Sequence, residues 1–98
     1  MADRTRYLVA YDIRHPRRLR RVHRVAKEYG EPLQYSLFAC DLTRVELAHL
    51  RASLIEEAKT TEDSVSIFDL GPPTGRGLTC IESIGRRRDL PDLGPAIW

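Results

Sequence analysis

The segment Tyr7-Leu8-Val9-Ala10-Tyr11-Asp12-Ile13 sets Tyr7, Val9, Tyr11 and Ile13 against Leu8, Ala10 and Asp12. Large side chains fall on both faces, so it reads as a central strand that needs cover on each side. It runs straight into Arg14-His15-Pro16-Arg17-Arg18-Leu19-Arg20-Arg21-Val22. Pro16 fits the first turn of a helix, where its missing N–H is harmless. Leu19, Val22, Ala26 and Tyr29 recur at helical spacing, and Gly30 marks the end. A strand ending on a carboxylate and feeding a helix that is basic on its outer faces requires a layered fold, with helix packed on sheet. From Arg14 to Lys27 there are seven Lys/Arg, two His and no acid, which leaves Asp12 the only carboxylate between Asp3 and Glu28.

The rest of the chain alternates in the same way. Leu33 to Leu42 reads as a second, long strand. Thr43-Arg44-Val45-Glu46 has the form of a capping box and opens a second helix, with Leu47, Leu50, Leu54 and Ala58 as its buried stripe. Thr60 to Asp63 is a polar turn and Ser64 to Leu70 a third strand. The run from Gly71 to Gly77 is a Gly/Pro-rich loop, and Leu78 to Ile84 reads as a fourth strand. These elements are expected to form an α+β fold of the ferredoxin-like β-α-β-β-α-β kind. Two helices would cover one face of a four-stranded antiparallel sheet whose first and third strands are central. Residues 1–85 form that domain. Residues 86–98, through Arg86-Arg87-Arg88 to Trp98, are a tail that is either disordered or docked on another subunit, and the terminal indole favours docking.

At 98 residues the chain has room for one modest core, so an obligate homodimer is expected to help stabilise it. No apolar run approaches the roughly 18 residues of a membrane span, and the first residues lack a signal-peptide core, so a cytoplasmic protein without a membrane partner is expected. Cys40 and Cys80 both lie in strand-like apolar segments and read as reduced, buried thiols. Net charge is +2, but residues 1–30 hold nine Lys/Arg against three Asp/Glu and the remainder seven against eleven. That asymmetry points to one face for a polyanion.

An Asp at a strand end beside clustered arginines suits either a metal-dependent phosphodiesterase or a surface that grips phosphates. The competing reading is a helix-flanking Asp and a solvated basic face. One carboxylate is too few for Mg²⁺ or Mn²⁺, but a two-fold dimer would bring two copies of Asp12 to the axis. Asp41 and Asp69, at other strand ends, are the further carboxylates considered. Arg18 and Arg21 lie one turn apart, Arg17 and Arg24 extend their strip, and guanidinium forks suit phosphate oxygens. Arg86-Arg87-Arg88 either adds to this footprint or solubilises the tail. His15 reads as a base, a phosphate contact or a helix cap, and His23 and His49 as surface residues. Tyr35 and Phe38 would point to opposite faces of a strand, so one is core and the other is free to stack on a base or pack a dimer. Zinc spacings, glycine-rich phosphate loops and the signatures of the RNA-recognition module are absent.

Tyr-x-x-Ala-Tyr-Asp-Ile (7–13), Arg-Arg-Leu-Arg-Arg-Val (17–22), Tyr29-Gly30, Gln34-Tyr35-Ser36-Leu37-Phe38-Ala39-Cys40 and Glu62-Asp63-Ser64-Val65 together resemble the small CRISPR-associated endonuclease family. The resemblance spans roughly residues 6–84 in order and spacing. It implies a ferredoxin-like homodimer whose last strands cross onto the partner's sheet. Asp12 would be the catalytic and metal-binding Asp, one from each subunit, with Mg²⁺. Arg18 and Arg21 match basic positions of the first helix, and Phe38 the aromatic of the second strand, so Arg17, Arg18, Arg21, Arg24 and Phe38 are the expected nucleic-acid contacts. The family implies endonuclease activity on RNA or double-stranded DNA and a bridging place beside the integrase subunit in spacer acquisition. Leu37 and Ala39 depart from its common pattern, and 71–77 and 85–98 match nothing diagnostic. The rival readings are a catalytically silent DNA-binding scaffold of the integrase complex and a toxin-type ribonuclease of the same fold.

Overall fold

Alternation decides the first strand. In β1 (Thr5–Asp12) Tyr7, Val9 and Tyr11 are buried on one face, while Leu8 and Ala10 are half-buried and Asp12 exposed on the other. A computed structural model describes residues 3–85 of the chain. After β1 come α1 (Pro16–Tyr29), β2 (Glu31–Gln34), β3 (Leu37–Leu42), α2 (Arg44–Glu57), β4 (Ser64–Asp69) and a single helical turn, α3 (Arg76–Thr79). His15 caps α1, its Nδ1 accepting the Arg17 N–H at 3.1 Å. The capping box of α2 forms as the sequence indicates. The Glu46 N–H donates to Thr43 Oγ1 at 3.1 Å, and the Thr43 N–H donates back to Glu46 Oε1 at 2.8 Å.

The strands form one antiparallel sheet in the order β2-β3-β1-β4. Helices α1 and α2 pack side by side on one face of it. Between the layers lie Val9, Tyr11, Val22, Ala26, Phe38, Cys40, Leu42, Leu50 and Leu54. This is the ferredoxin-like β-α-β-β-α-β arrangement, but its elements differ from those that hydrophobic pattern picks out.

The segment predicted as one strand over 33–42 is a hairpin, β2 and β3, turning at Tyr35-Ser36. The turn is held from the sheet, where the Tyr11 N–H donates to the Ser36 carbonyl at 3.1 Å. Pro32 is tolerated because β2 is an edge strand. The strand predicted over 78–84 does not form. Gly71, at φ +87°, turns the chain away from β4, and the backbone then closes into α3. Gly77 sits so near the sheet that a Cβ there would meet Pro72 O at 2.8 Å and Arg6 Cβ at 2.9 Å. Segment 64–70, expected at the centre, supplies the edge strand β4; the central pair is β1 and β3. Cys80 is exposed at the end of α3 rather than buried in a strand, whereas Cys40 is buried as expected. The tail 86–98, with Arg86-Arg87-Arg88, lies outside the described residues.

Gly30 is required by proximity. It leaves α1 in extended conformation, and a Cβ would collide with the Ala39 carbonyl oxygen and Cys40 Sγ. On the sheet face away from α1 and α2, Arg6 is fully buried and stands opposite Asp41. Its Nε and Nη2 reach Asp41 Oδ1 and Oδ2 at 2.7 and 2.8 Å, and Nη1 donates to the Gly77 carbonyl at 3.2 Å.

Candidate nucleic-acid and metal site

Asp12 ends β1 opposite Ser64 of β4, with its carboxylate exposed. Two residues later the chain is anchored by Asp63. The buried Asp63 carboxylate accepts the Arg14 N–H at 2.9 Å, the Lys59 N–H at 2.8 Å, and Arg18 Nε and Nη2 at 2.8 and 3.1 Å. Arg18 Nη2 also donates to Glu62 at 3.0 Å. The Arg18 guanidinium holds the Asp63 carboxyl well below the usual carboxylate range, helped by the two backbone N–H groups. Arg18 is raised in return, chiefly by its hydrogen bond to Asp63. It was expected among the phosphate contacts; here its Nε and Nη2 are committed to Asp63 and Glu62. Its work here is to tie α1 to the turn before β4, beside Asp12.

Phe38 is placed against expectation. It is fully buried between the layers, with its ring 6.3 Å from that of Tyr11 and edge-on to His23 at 5.3 Å, so it is a core residue and offers no surface to nucleic acid. Of the two aromatics weighed in this segment, Tyr35, in the hairpin turn, is the one that reaches the surface. Arg17, Arg21 and Arg24 are exposed on α1 and form no ion pair among the described residues; Arg20 and Lys27 share that condition.

The other carboxylates considered lie at the far end of the sheet. Asp41 pairs with Arg6, and Asp69 accepts the Gly71 N–H at 2.8 Å. By strand register they stand five or six residues from Asp12, about 17–20 Å at the usual rise. Among the described residues no three His, Cys, Asp or Glu side chains group as metal ligands. Asp12 fits one position in the oxygen shell of a hard divalent cation, and the described residues offer no second free carboxylate beside it.

Two arrangements escape sequence reasoning. Asp63 reads as one more polar turn residue, and nothing local marks it as the partner of an arginine 45 residues away. His23 reads as a surface residue, yet its Nδ1 lies 2.9 Å from the Tyr11 hydroxyl and its ring stacks on Tyr35.

The family description "CRISPR associated protein Cas2" matches residues 5–74, from the start of β1 to the loop after β4. The chain belongs to the Cas2 family. The CRISPR-associated endoribonuclease Cas2 of Geobacter sulfurreducens is 42% identical over 66 residues, covering 67% of this chain and 70% of that one. The CRISPR-associated endoribonuclease Cas2 2 of Thermodesulfovibrio yellowstonii is 38% identical over 86 residues, covering 88% and 89%. Among solved structures, Streptococcus pyogenes Cas2 at pH 6.5 superposes with a TM-score of 0.72 at 28% identity, covering 82% of this chain and 99% of its own. The hypothetical protein TT1823 from Thermus thermophilus does so with 0.77 at 26% identity, covering 90% and 99%. The Cas2 match ends before the segment where the predicted fourth strand fails to form. No helix among the described residues is long and apolar enough to cross a membrane.

Proposed function

We propose that this chain is a dimeric, metal-dependent endonuclease of RNA or double-stranded DNA in CRISPR adaptation, where it also bridges the integrase subunit. The observation that carries the reading is Asp12, an exposed carboxylate at the end of a central strand, next to a helix whose exposed arginines Arg17, Arg21 and Arg24 have no ion-pair partner among the described residues. The endoribonuclease names of the relatives support the same chemistry.

Asp12 would hold Mg²⁺ or Mn²⁺ together with Asp12 of a second subunit, since the described residues of one chain provide one free carboxylate there. When bound, such an ion supplies Lewis-acid polarisation of the phosphodiester. The chain's own residues do the rest. Arg17, Arg21 and Arg24 bind backbone phosphates, and the Asp63–Arg18 pair keeps the segment after Asp12 in place. A homodimer is supported by β4, whose outer edge is unpaired among the described residues. Next to it lies a groove of about 490 Å³, lined by Leu54, Ile55, Ala58, Val65 and Ile67 among others.

The test is cleavage of duplex DNA and single-stranded RNA by wild type and Asp12→Ala, with Mg²⁺, Mn²⁺ or EDTA. Cutting that needs metal and disappears with Asp12 is the expected result. Binding without cutting would favour the scaffold reading, which a lone free carboxylate among the described residues also suits.

A further inference from the structure

Helix α1 and the β2–β3 turn enclose a groove of about 470 Å³ lined by Arg20, His23, Arg24, Lys27, Glu28 and Tyr35. Arg20, Arg24 and Lys27 recur at i, i+4 and i+7, so they share one helix face. None of the three is in an ion pair among the described residues, in contrast to Arg4, Arg6 and Arg18, which all have carboxylate partners. Glu28 is the one acid on the rim.

The aromatic wall is fixed in advance. Tyr35 is 62% exposed, yet its ring lies 4.9 Å from the His23 ring at an interplanar angle of 20°, so the imidazole backs it. Its backbone is held by Tyr11, whose hydroxyl donates to the Tyr35 carbonyl at 3.1 Å and whose N–H donates to Ser36. That hydroxyl has one proton and a carbonyl can only accept, so satisfying both contacts makes His23 Nδ1 the donor to Tyr11 Oη. Burial pushes the Tyr11 phenol up to about 12, so the hydroxyl keeps its proton near neutrality. His23 Nε2 is then left with no partner among the described residues.

We propose that this groove is a nucleotide subsite in which Tyr35 stacks an unpaired base and Arg20, Arg24 and Lys27 take the flanking phosphates. The inference rests on the nucleic-acid reading above and adds a preference to it. A base inside a duplex has both faces covered by its neighbours, so only a single strand, an overhang or a frayed end can place one on Tyr35. Aromatic stacking tolerates any base, so the subsite selects strandedness rather than sequence.

The test is fluorescence anisotropy with a short oligouridine, the same oligomer carrying an abasic spacer, and a blunt DNA duplex, using wild type, Tyr35→Ala and Tyr35→Phe. Thermal melting accompanies each variant. Tyr35→Ala is expected to weaken oligouridine binding about ten-fold, with Tyr35→Phe close to wild type and duplex binding unchanged. The loss should shrink on the abasic probe. Arg20→Ala with Arg24→Ala should weaken all probes and flatten the salt dependence. If wild type binds both oligouridine and duplex but Tyr35→Ala alters neither, or alters both equally, the subsite is wrong while the nucleic-acid reading stands. If wild type binds none of the probes, both fall together.

Discussion

Arg6 and Asp41 face each other across the two central strands as a bidentate pair at 2.7 and 2.8 Å, with the arginine side chain fully buried. Arg6 also reaches the Gly77 carbonyl, so one guanidinium joins β1, β3 and the turn of α3. Removing one member of a buried pair strands the other charge, whereas replacing both with apolar residues can be nearly neutral.

Arg6→Met should therefore destabilise the fold by about 3–5 kcal/mol, and the double variant Arg6→Met/Asp41→Leu should recover most of that loss. Chemical denaturation of the two single variants and the double measures both quantities. Hydrogen exchange should quicken over residues 76–79 in every variant lacking Arg6. If the double variant is as unstable as either single one, the pair does more than neutralise its own burial.

Asp63 predicts an acid-side dependence. Its folded pKa is depressed, so its contribution to stability is complete above the unfolded value of about 3.9. It is lost as pH falls below that value towards the lower folded one. Asp63→Asn should melt lower near neutrality and show a shallower fall of melting temperature on acidification. Glu46 and Glu62 are lowered too, the first by its capping hydrogen bond and the second by Lys59 and Arg18, so part of the slope will remain. A variant with the wild-type acid slope would show that Asp63 is not held as described.

The two cysteines should behave differently. Cys40 is buried, and desolvation, followed by the charge of Asp41, pushes its thiol up to about 12; Cys80 is exposed. Titration of native protein with a chromogenic disulfide should show one fast thiol, the second reacting only on unfolding. Cys80→Ser should remove the fast phase and Cys40→Ser should keep it.

Gly30→Ala should cost about 1–3 kcal/mol, the usual range for overpacking, because Ala39 and Cys40 occupy the space a methyl group needs. Cys40→Ala in the same chain should relieve only the clash with sulfur, since the Ala39 carbonyl remains. Thermal melting of the three variants compares these terms.

Local signals were legible and non-local ones were not. Period-two alternation found β1, Pro16 found the start of α1, and the Thr43/Glu46 box found α2, because each is written within a few residues. The turn at Tyr35-Ser36 has no Gly, Pro, Asn or Asp to mark it, so two strands read as one. Leu78, Ile81 and Ile84 imitate a strand, but the chain there is committed to α3 and to Arg6 by contacts from the start of the sequence. The two misreadings offset each other, which is why the β-α-β-β-α-β order held with different segments filling it. At the site, Asp12 and the basic helix were legible because they are contiguous. The Asp63–Arg18 pair was not, and the resemblance favoured Phe38 where packing brings Tyr35 to the surface.

The position of β1 also bears on how the chain is made. Both of its partners come later in the chain and are remote: β3 follows a whole helix, and β4 lies beyond a second. On the ribosome, β1 emerges before either of the strands it pairs with. It gains its first neighbour when β3 appears and its second only when β4 has followed α2. The β2–β3 hairpin is the one strand pairing that closes locally, so it is the natural place for order to begin. The strand that carries Asp12 thus leaves the ribosome ahead of both its partners and is enclosed only once both have followed.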